Sequence, residues 1–195
     1  MADFPRGQRR NRCADGLRQL MGIDKSLDFK SVRIALLTIS DTRTFDDDTS
    51  GDILAGRIEK KGHELVAREI SRDSVEEIAA HLHRWIDDPE IDAIVTTGGT
   101  GLTGRDVTPE ALDRVKSKDI PGFGELFRWL SYEKIGTSTL QSRACAVVAR
   151  GTYIFALPGS NGAVKDGWDG ILDAQLDSRH RPCNFVELMP RLRER

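Results

Sequence analysis

No stretch of this 195-residue chain approaches the eighteen or more consecutive apolar residues that a membrane-crossing helix needs. A dominant charge is also lacking. The 29 basic and 31 acidic side chains are interspersed and leave a formal net charge of −2, so nothing demands a nucleic acid or a membrane surface. Cysteine is scarce: Cys13, Cys145 and Cys183 are widely spaced and form no C-x-x-C pair. That argues against a disulfide framework or zinc site and for reduced thiols in the cytoplasm, each expected as buried filler. His63, His81, His83 and His180 show no metal-ligand spacing, and His81 and His83 fall on different faces of a helix. The cluster Arg6, Arg9, Arg10 and Arg12 has no apolar segment behind it, so it is not a secretory signal. Residues 1–27 are read as a mobile N-terminal extension, with Met21 as an alternative start, and residues 28–195 as one domain.

What the chain has is alternation. "VRIALLTIS" (32–40) is a β-branched run suited to a strand buried on both faces. A helix follows, with Thr49 as its cap candidate and Lys60-Lys61-Gly62 as its stop. "HELVAREI" (63–70) reads as a second strand, and Ser74 with Glu77 as a capping box for the next helix, which Pro89 closes. "IDAIVTT" (91–97) is a third strand. Thr108-Pro109-Glu110 combines a cap, a first-turn proline and an acid. Residues 122–135 are expected to be helical, with Phe123, Leu126, Phe127 and Leu130 inward. "ACAVVARGTYIFALPG" holds two strands bent around Arg150-Gly151. Ser160 caps a last helix carrying Val164, Trp168, Ile171 and Leu172, weakened by Gly162, Gly167 and Gly170. Alternating strands and helices define an α/β fold with a parallel-centred sheet, whose ligands bind beyond the strand carboxyl ends at a switch in strand order. Four loops qualify: "SDT", "SRD", "GGTGLTGRD" and "LPGSNG".

The third of these contains a literal G-x-G-x-x-G, Gly99 to Gly104. A dinucleotide fold would start its helix inside the glycines, whereas here the helix start is marked at Thr108-Pro109. A Walker A loop would carry lysine and Ser/Thr where this chain has Arg105 and Asp106. An aspartate beside phosphates repels them unless a cation lies between, and aspartate, Mg²⁺ and phosphate together form a working arrangement. Four glycines and two threonines between a buried strand and a capped helix favour an anion-binding loop over a plain turn. Arg105 either steadies phosphate oxygens or pairs locally with Asp106. Ser160, after Pro158-Gly159, either offers donors to an anion or only caps its helix. Asp41 either contacts a nucleotide or caps the turn at Thr42.

With "TTGGTGLTGRDVTPEAL", "IPGFGELFR" and "FALPGS" in order, residues 28–188 resemble the MoaB/Mog family of molybdopterin-binding proteins. "LSYEKIGTSTLQSRA" and "RPCNF" look more like its MoaB branch than its Mog branch. The resemblance implies a three-layer α/β/α sandwich with a mostly parallel central sheet, a homotrimer or a hexamer of two trimers, and a part in molybdenum cofactor biosynthesis. It implies Mg²⁺-assisted adenylyl transfer from ATP to molybdopterin, with Asp73 and Asp106 as the catalytic, metal-holding aspartates. It places pterin or phosphates at Gly98, Gly99, Thr100 and Gly101; to these the reading of the loops adds Arg105, Pro158, Gly159 and Ser160, and Ser40 and Asp41 as candidates for a nucleotide. The alternative is a carrier or assembly protein that holds the same ligand without turning over ATP. Trp129 and Tyr132 widen the apolar face of their helix, marking either a subunit interface or half-buried positions.

Overall fold

The computed structural model describes residues 22–194 and is organised around a six-stranded sheet. Cys13, the arginine cluster and Met21 lie outside those residues. The strands are β1 (Gly22–Ile23), β2 (Arg33–Ile39), β3 (Glu64–Ser71), β4 (Ala93–Thr97), β5 (Lys118–Asp119), β6 (Cys145–Ala149), β7 (Thr152–Leu157) and β8 (His180–Arg181). The helices are α1 (Thr49–Lys61), α2 (Val75–Ile86), α3 (Thr108–Val115), α4 (Pro121–Ile135), α5 (Asn161–Gly167) and α6 (Phe185–Leu188). The main sheet has the order β3-β2-β4-β7-β6-β5. Its first four strands are mutually parallel; β6 pairs antiparallel with β7, and β5 pairs antiparallel with β6, so that only β6 runs against the others.

Side chains alternate across a strand, so β2 feeds two cores. Ile34 and Leu36 join Leu54 and Ile58 of α1, Phe123 and Phe127 of α4, and Val164 with Trp168 on one face. Ala35, Leu37 and Ile39 join Ile78, Leu82 and Trp85 of α2, and Ala111, Leu112 and Val115 of α3, on the other. Helices on both faces of a mostly parallel sheet make the three-layer sandwich, and they explain why β2, β4 and β7 are buried along nearly their whole length and mostly apolar. Among the described residues, no helix is long and apolar enough to cross a membrane.

Several local expectations shift. Asp48, not Thr49, caps α1, accepting from the Gly51 amide at 2.9 Å. Thr108 does not cap α3: its buried hydroxyl donates instead to the Gly98 carbonyl at 2.8 Å. Only half of the capping box forms, with the Glu77 amide donating to Ser74 Oγ. Leu126 faces outward, because α4 rests on the sheet through Phe123 and Phe127. The glycines do not end the last long helix, which runs on through a π-turn, Trp168–Leu172, to Gln175. Residues 22–27, read from the sequence as part of the extension, include β1, which pairs with β8, and Asp24, whose amide donates to Arg179 O. Cys183 is exposed rather than filler, whereas Cys145 is mostly buried, and burial pushes its thiol up to about 11. His63 is a packed core histidine between Phe29 and Trp168, accepting from the Val32 amide, and burial lowers it to about 4. The expected bend at Arg150-Gly151 is a tight hairpin in which both residues take positive φ, 49° and 96°. That pattern matches the twist of paired strands.

Candidate functional site

Four parallel strands deliver their carboxyl ends to one edge of the sheet. From β2 the chain passes to β3 on one side and returns to β4 on the other, so a crevice opens above the β2–β4 boundary. A cavity of about 290 Å³ lies there, lined from all four expected loops: Ser40, Asp41, Thr42 and Arg43; Asp73; Gly99, Thr103, Arg105 and Asp106; and Gly159.

The loop after β2 turns on Ser40, whose hydroxyl accepts from the Thr42 and Arg43 amides at 3.3 Å each. Asp41 is therefore not the turn's cap. It pairs with Asp73 through reciprocal bonds: the Asp41 amide donates to Asp73 Oδ2 at 3.0 Å, and the Asp73 amide to Asp41 Oδ1 at 3.2 Å. Burial raises the Asp73 carboxyl above its ordinary value, and the charges of Asp41 and Asp106 push in the same direction.

The glycine loop is placed by contacts on its far side. Gly98 has φ +106°, and a Cβ there would sit 2.2 Å from the Ile39 carbonyl, so β2 and the loop approach closely only through glycine. The Gly99 carbonyl accepts from the Thr108 amide at 3.0 Å and the Thr100 carbonyl from the Arg143 amide at 2.8 Å. Arg143 Nε donates to Gly101 O at 2.7 Å, and its two terminal nitrogens reach Asp106 O and Glu110. With these carbonyls turned away, the Gly99 amide at the cavity wall donates to no acceptor among the described residues. Asp106 Oδ2 accepts from the Thr103 amide at 2.8 Å and its hydroxyl at 2.6 Å. Burial acts to raise this carboxyl, but the Thr103 bonds, the Gly101 amide and the Arg143 charge outweigh it, leaving Asp106 below the usual range.

Arg105 makes no pair with Asp106. It lies 77% exposed, with its nearest acid, Asp41, 4.0 Å away. Of the residues singled out from the sequence, Ser40, Asp41, Asp73, Gly99, Arg105, Asp106 and Gly159 line the cavity. Gly98, Thr100, Gly101, Pro158 and Ser160 are not among its lining residues. Thr100 is buried, Pro158 O accepts from Thr97 Oγ1, and Ser160 caps α5 through the Ala163 amide. Sequence reasoning missed Arg43, Ser50 and Thr103 in the lining, and Arg143 behind it. An arginine three residues past a strand's carboxyl end was the available signal for Arg43.

Asp41, Asp73 and Asp106 against Arg43 and Arg105 leave the lining with one net negative charge. An anion bound alone would meet that repulsion. Asp73 Oδ2 and Asp106 Oδ2 each accept from the protein, and the two carboxylates are hard-oxygen donors of the kind Mg²⁺ takes. Among the described residues, no three His, Cys, Asp or Glu side chains form an all-protein metal cage. Asp73 and Asp106 are the residues that would hold a Mg²⁺ whose other ligands came from outside the protein.

The fold and cleft define an α/β protein with a polar, glycine-walled crevice at a strand-order switch. A family model described as a probable molybdopterin binding domain matches residues 35–178, and the chain belongs to that family. It is 48% identical over 160 residues to molybdenum cofactor biosynthesis protein B of Escherichia coli K12, covering 82% of this chain and 94% of that one. A crystal structure of molybdenum cofactor biosynthesis protein B superposes with a TM-score of 0.78 at 35% identity, covering 87% of this chain and all (100%) of that one. The tungsten cofactor synthesizing protein MoaB from Pyrococcus furiosus superposes at 0.70 with 33% identity, over 85% and 99% of the two chains.

Proposed function

We propose that this chain acts in molybdenum cofactor biosynthesis by binding molybdopterin in the switch-point cleft and adenylylating it with MgATP. The observation that carries the reading is the convergence of Asp73 and Asp106 on one cavity whose glycine loop presents a free amide. In the transfer, an oxygen of the pterin's terminal phosphate forms a bond to the α-phosphorus of ATP. The bond from that phosphorus to the α,β-bridging oxygen breaks, and pyrophosphate leaves. Mg²⁺ would supply charge neutralisation at the phosphates, held by Asp73 and Asp106. The protein's own work is positioning: Thr103 keeps Asp106 anionic and fixed, and the Gly99 amide meets an oxygen anion.

The test is pyrophosphate release from MgATP with molybdopterin, comparing wild type with Asp106→Asn. Release by wild type alone, with pterin affinity intact or higher in the variant, is the expected result. Equal turnover in the variant removes Asp106 from the chemistry. Pterin binding with no release from either protein makes the chain a carrier.

The same reading includes self-association. Trp129 (62% exposed) and Tyr132 (57%) form, with Leu126 and Ile135, an uncovered apolar face on α4, suited to a second copy. Sedimentation at micromolar concentration is expected to show a trimer or hexamer. A lone 21.7 kDa species would remove the oligomer.

A further inference from the structure

We propose that Arg43, and not Arg105, is the residue that grips the ligand's phosphate in this cleft; the inference deepens the nucleotide- and pterin-binding reading above and rests on it. The two guanidinium groups of the lining are held very differently. Arg105 is 77% exposed and its one acidic neighbour is at 4.0 Å, so binding an anion would first require a long, free side chain to be ordered. Arg43 is already in place. Its side chain is 31% exposed, and Nη1 donates to Ser50 Oγ at 2.9 Å while lying 3.5 Å from Asp48 Oδ1. Nη2 reaches the Gly159 carbonyl at 3.5 Å, so one side chain spans the loops after β2 and β7.

The tether is anchored in turn. Asp48 is fully buried and accepts from Thr38 Oγ1 at 2.6 Å, the Gly51 amide at 2.9 Å and Arg68 Nη2 at 3.0 Å. Among the described residues, Arg43 Nε donates to nothing in the protein, so the planar fork keeps donors for a phosphate. The charge layout agrees. The acids come from the loops after β3 and β4 together with Asp41, whereas Arg43 stands with Ser50 and Gly159 on the side toward α1 and β7. A metal–polyphosphate ligand is bipolar in the same sense, its cation toward the acids and an outer phosphate toward Arg43.

The experiment is titration calorimetry of the full chain with inorganic pyrophosphate and with ATP, each in the presence of Mg²⁺, at two salt concentrations. Arg43→Gln is expected to weaken binding about ten- to a hundredfold, the range of a charge-assisted hydrogen bond. Arg43→Lys is expected to recover part of the loss, since it restores the charge without the fork. Arg105→Gln should weaken binding by no more than about threefold, as a solvent-screened contact does. Binding to Arg43→Gln should also depend less on salt, because a screened charge–charge attraction is gone; a loop merely disordered by the change would leave that dependence as in wild type. Unchanged thermal unfolding of Arg43→Lys shows that the fold is kept.

Affinity within twofold of wild type for Arg43→Gln, equal losses for the Arg43 and Arg105 variants, or a loss with unaltered salt dependence would each overturn the assignment while leaving the cleft's proposed ligand standing. Wild type binding neither probe would sink the assignment and the nucleotide half of the proposed function together.

Discussion

On one rim of the cleft, the carbonyls of Gly98, Thr100, Gly101 and Asp106 are all held by groups from α3 or from the segment entering β6. On the facing rim, Asp41 and Asp73 hold each other through a single pair of amide-to-carboxylate bonds, and Arg105 stands 4.0 Å from Asp41. The over-determined rim carries the acid whose pKa is lowered, and the looser rim the acid whose pKa is raised. Two aspartates that look equivalent in sequence are therefore unequal in chemistry. Asp106 is a fixed anion. On Asp73, burial and the neighbouring acids favour the protonated form.

The sharpest way to break this contrast is Gly98→Ala. A methyl 2.2 Å from the Ile39 carbonyl at positive φ forces strand and loop apart, and a loss of about 3 kcal/mol or more is expected in urea unfolding. An unshifted midpoint would show that the rim is not rigid. Next comes Arg143→Met, which leaves the Gly101 and Asp106 carbonyls without their donors; about 2 kcal/mol should be lost, with faster proteolysis within residues 98–106. Thr103→Val removes the hydroxyl bond to Asp106 and should cost about 1 kcal/mol. NMR titration of the carboxyl carbons should then find Asp106 moved up toward the ordinary aspartate range.

The smallest effect has the opposite sign. Because the folded-state pKa of Asp73 lies above its unfolded value, the folded chain binds that proton more readily, and the ionised form is a penalty to folding at neutral pH. Asp73→Asn should therefore raise the thermal midpoint by on the order of a degree or two, while weakening Mg²⁺-dependent pyrophosphate binding. As pH falls, the same binding should fade in wild type through the raised Asp73 range, before Asp106 protonates. A midpoint lower than wild type for Asp73→Asn would erase the contrast between the rims.

Much of this architecture was legible because its causes are local. β2, β4 and β7 are rich in apolar residues since both faces are covered, and the glycine loop declares itself by composition. Elements whose causes lie elsewhere in the chain were not legible. Thr108 looks like a cap from its neighbours, yet its hydroxyl is claimed by Gly98, ten residues back. Asp48 is not marked out by its neighbours because its partners Thr38 and Arg68 lie on β2 and β3. Arg143 acts 42 residues from Gly101, across a sheet whose strand order no periodicity reveals. Asp73 and Asp106 could be picked out from their loops, but the opposite displacement of their carboxyls depends on burial and partners that only the folded chain supplies.

The position of β7 has a consequence for assembly during synthesis. This strand lies between β4 and β6 in the sheet, yet residues 152–157 follow β2, β3, β4, β5 and β6 in the chain. A nascent chain that has emerged only as far as Arg150 presents β4 as a bare edge, and its β5–β6 pair has nothing to join. Unpaired edges of that kind invite pairing with other chains. The glycine loop follows the bare strand, and the Gly98 amide finds its acceptor on Leu157 only with the last residue of β7. The cleft is thus complete only when the six residues of β7 stand between β4 and β6, and they are the last strand of the main sheet to be synthesised.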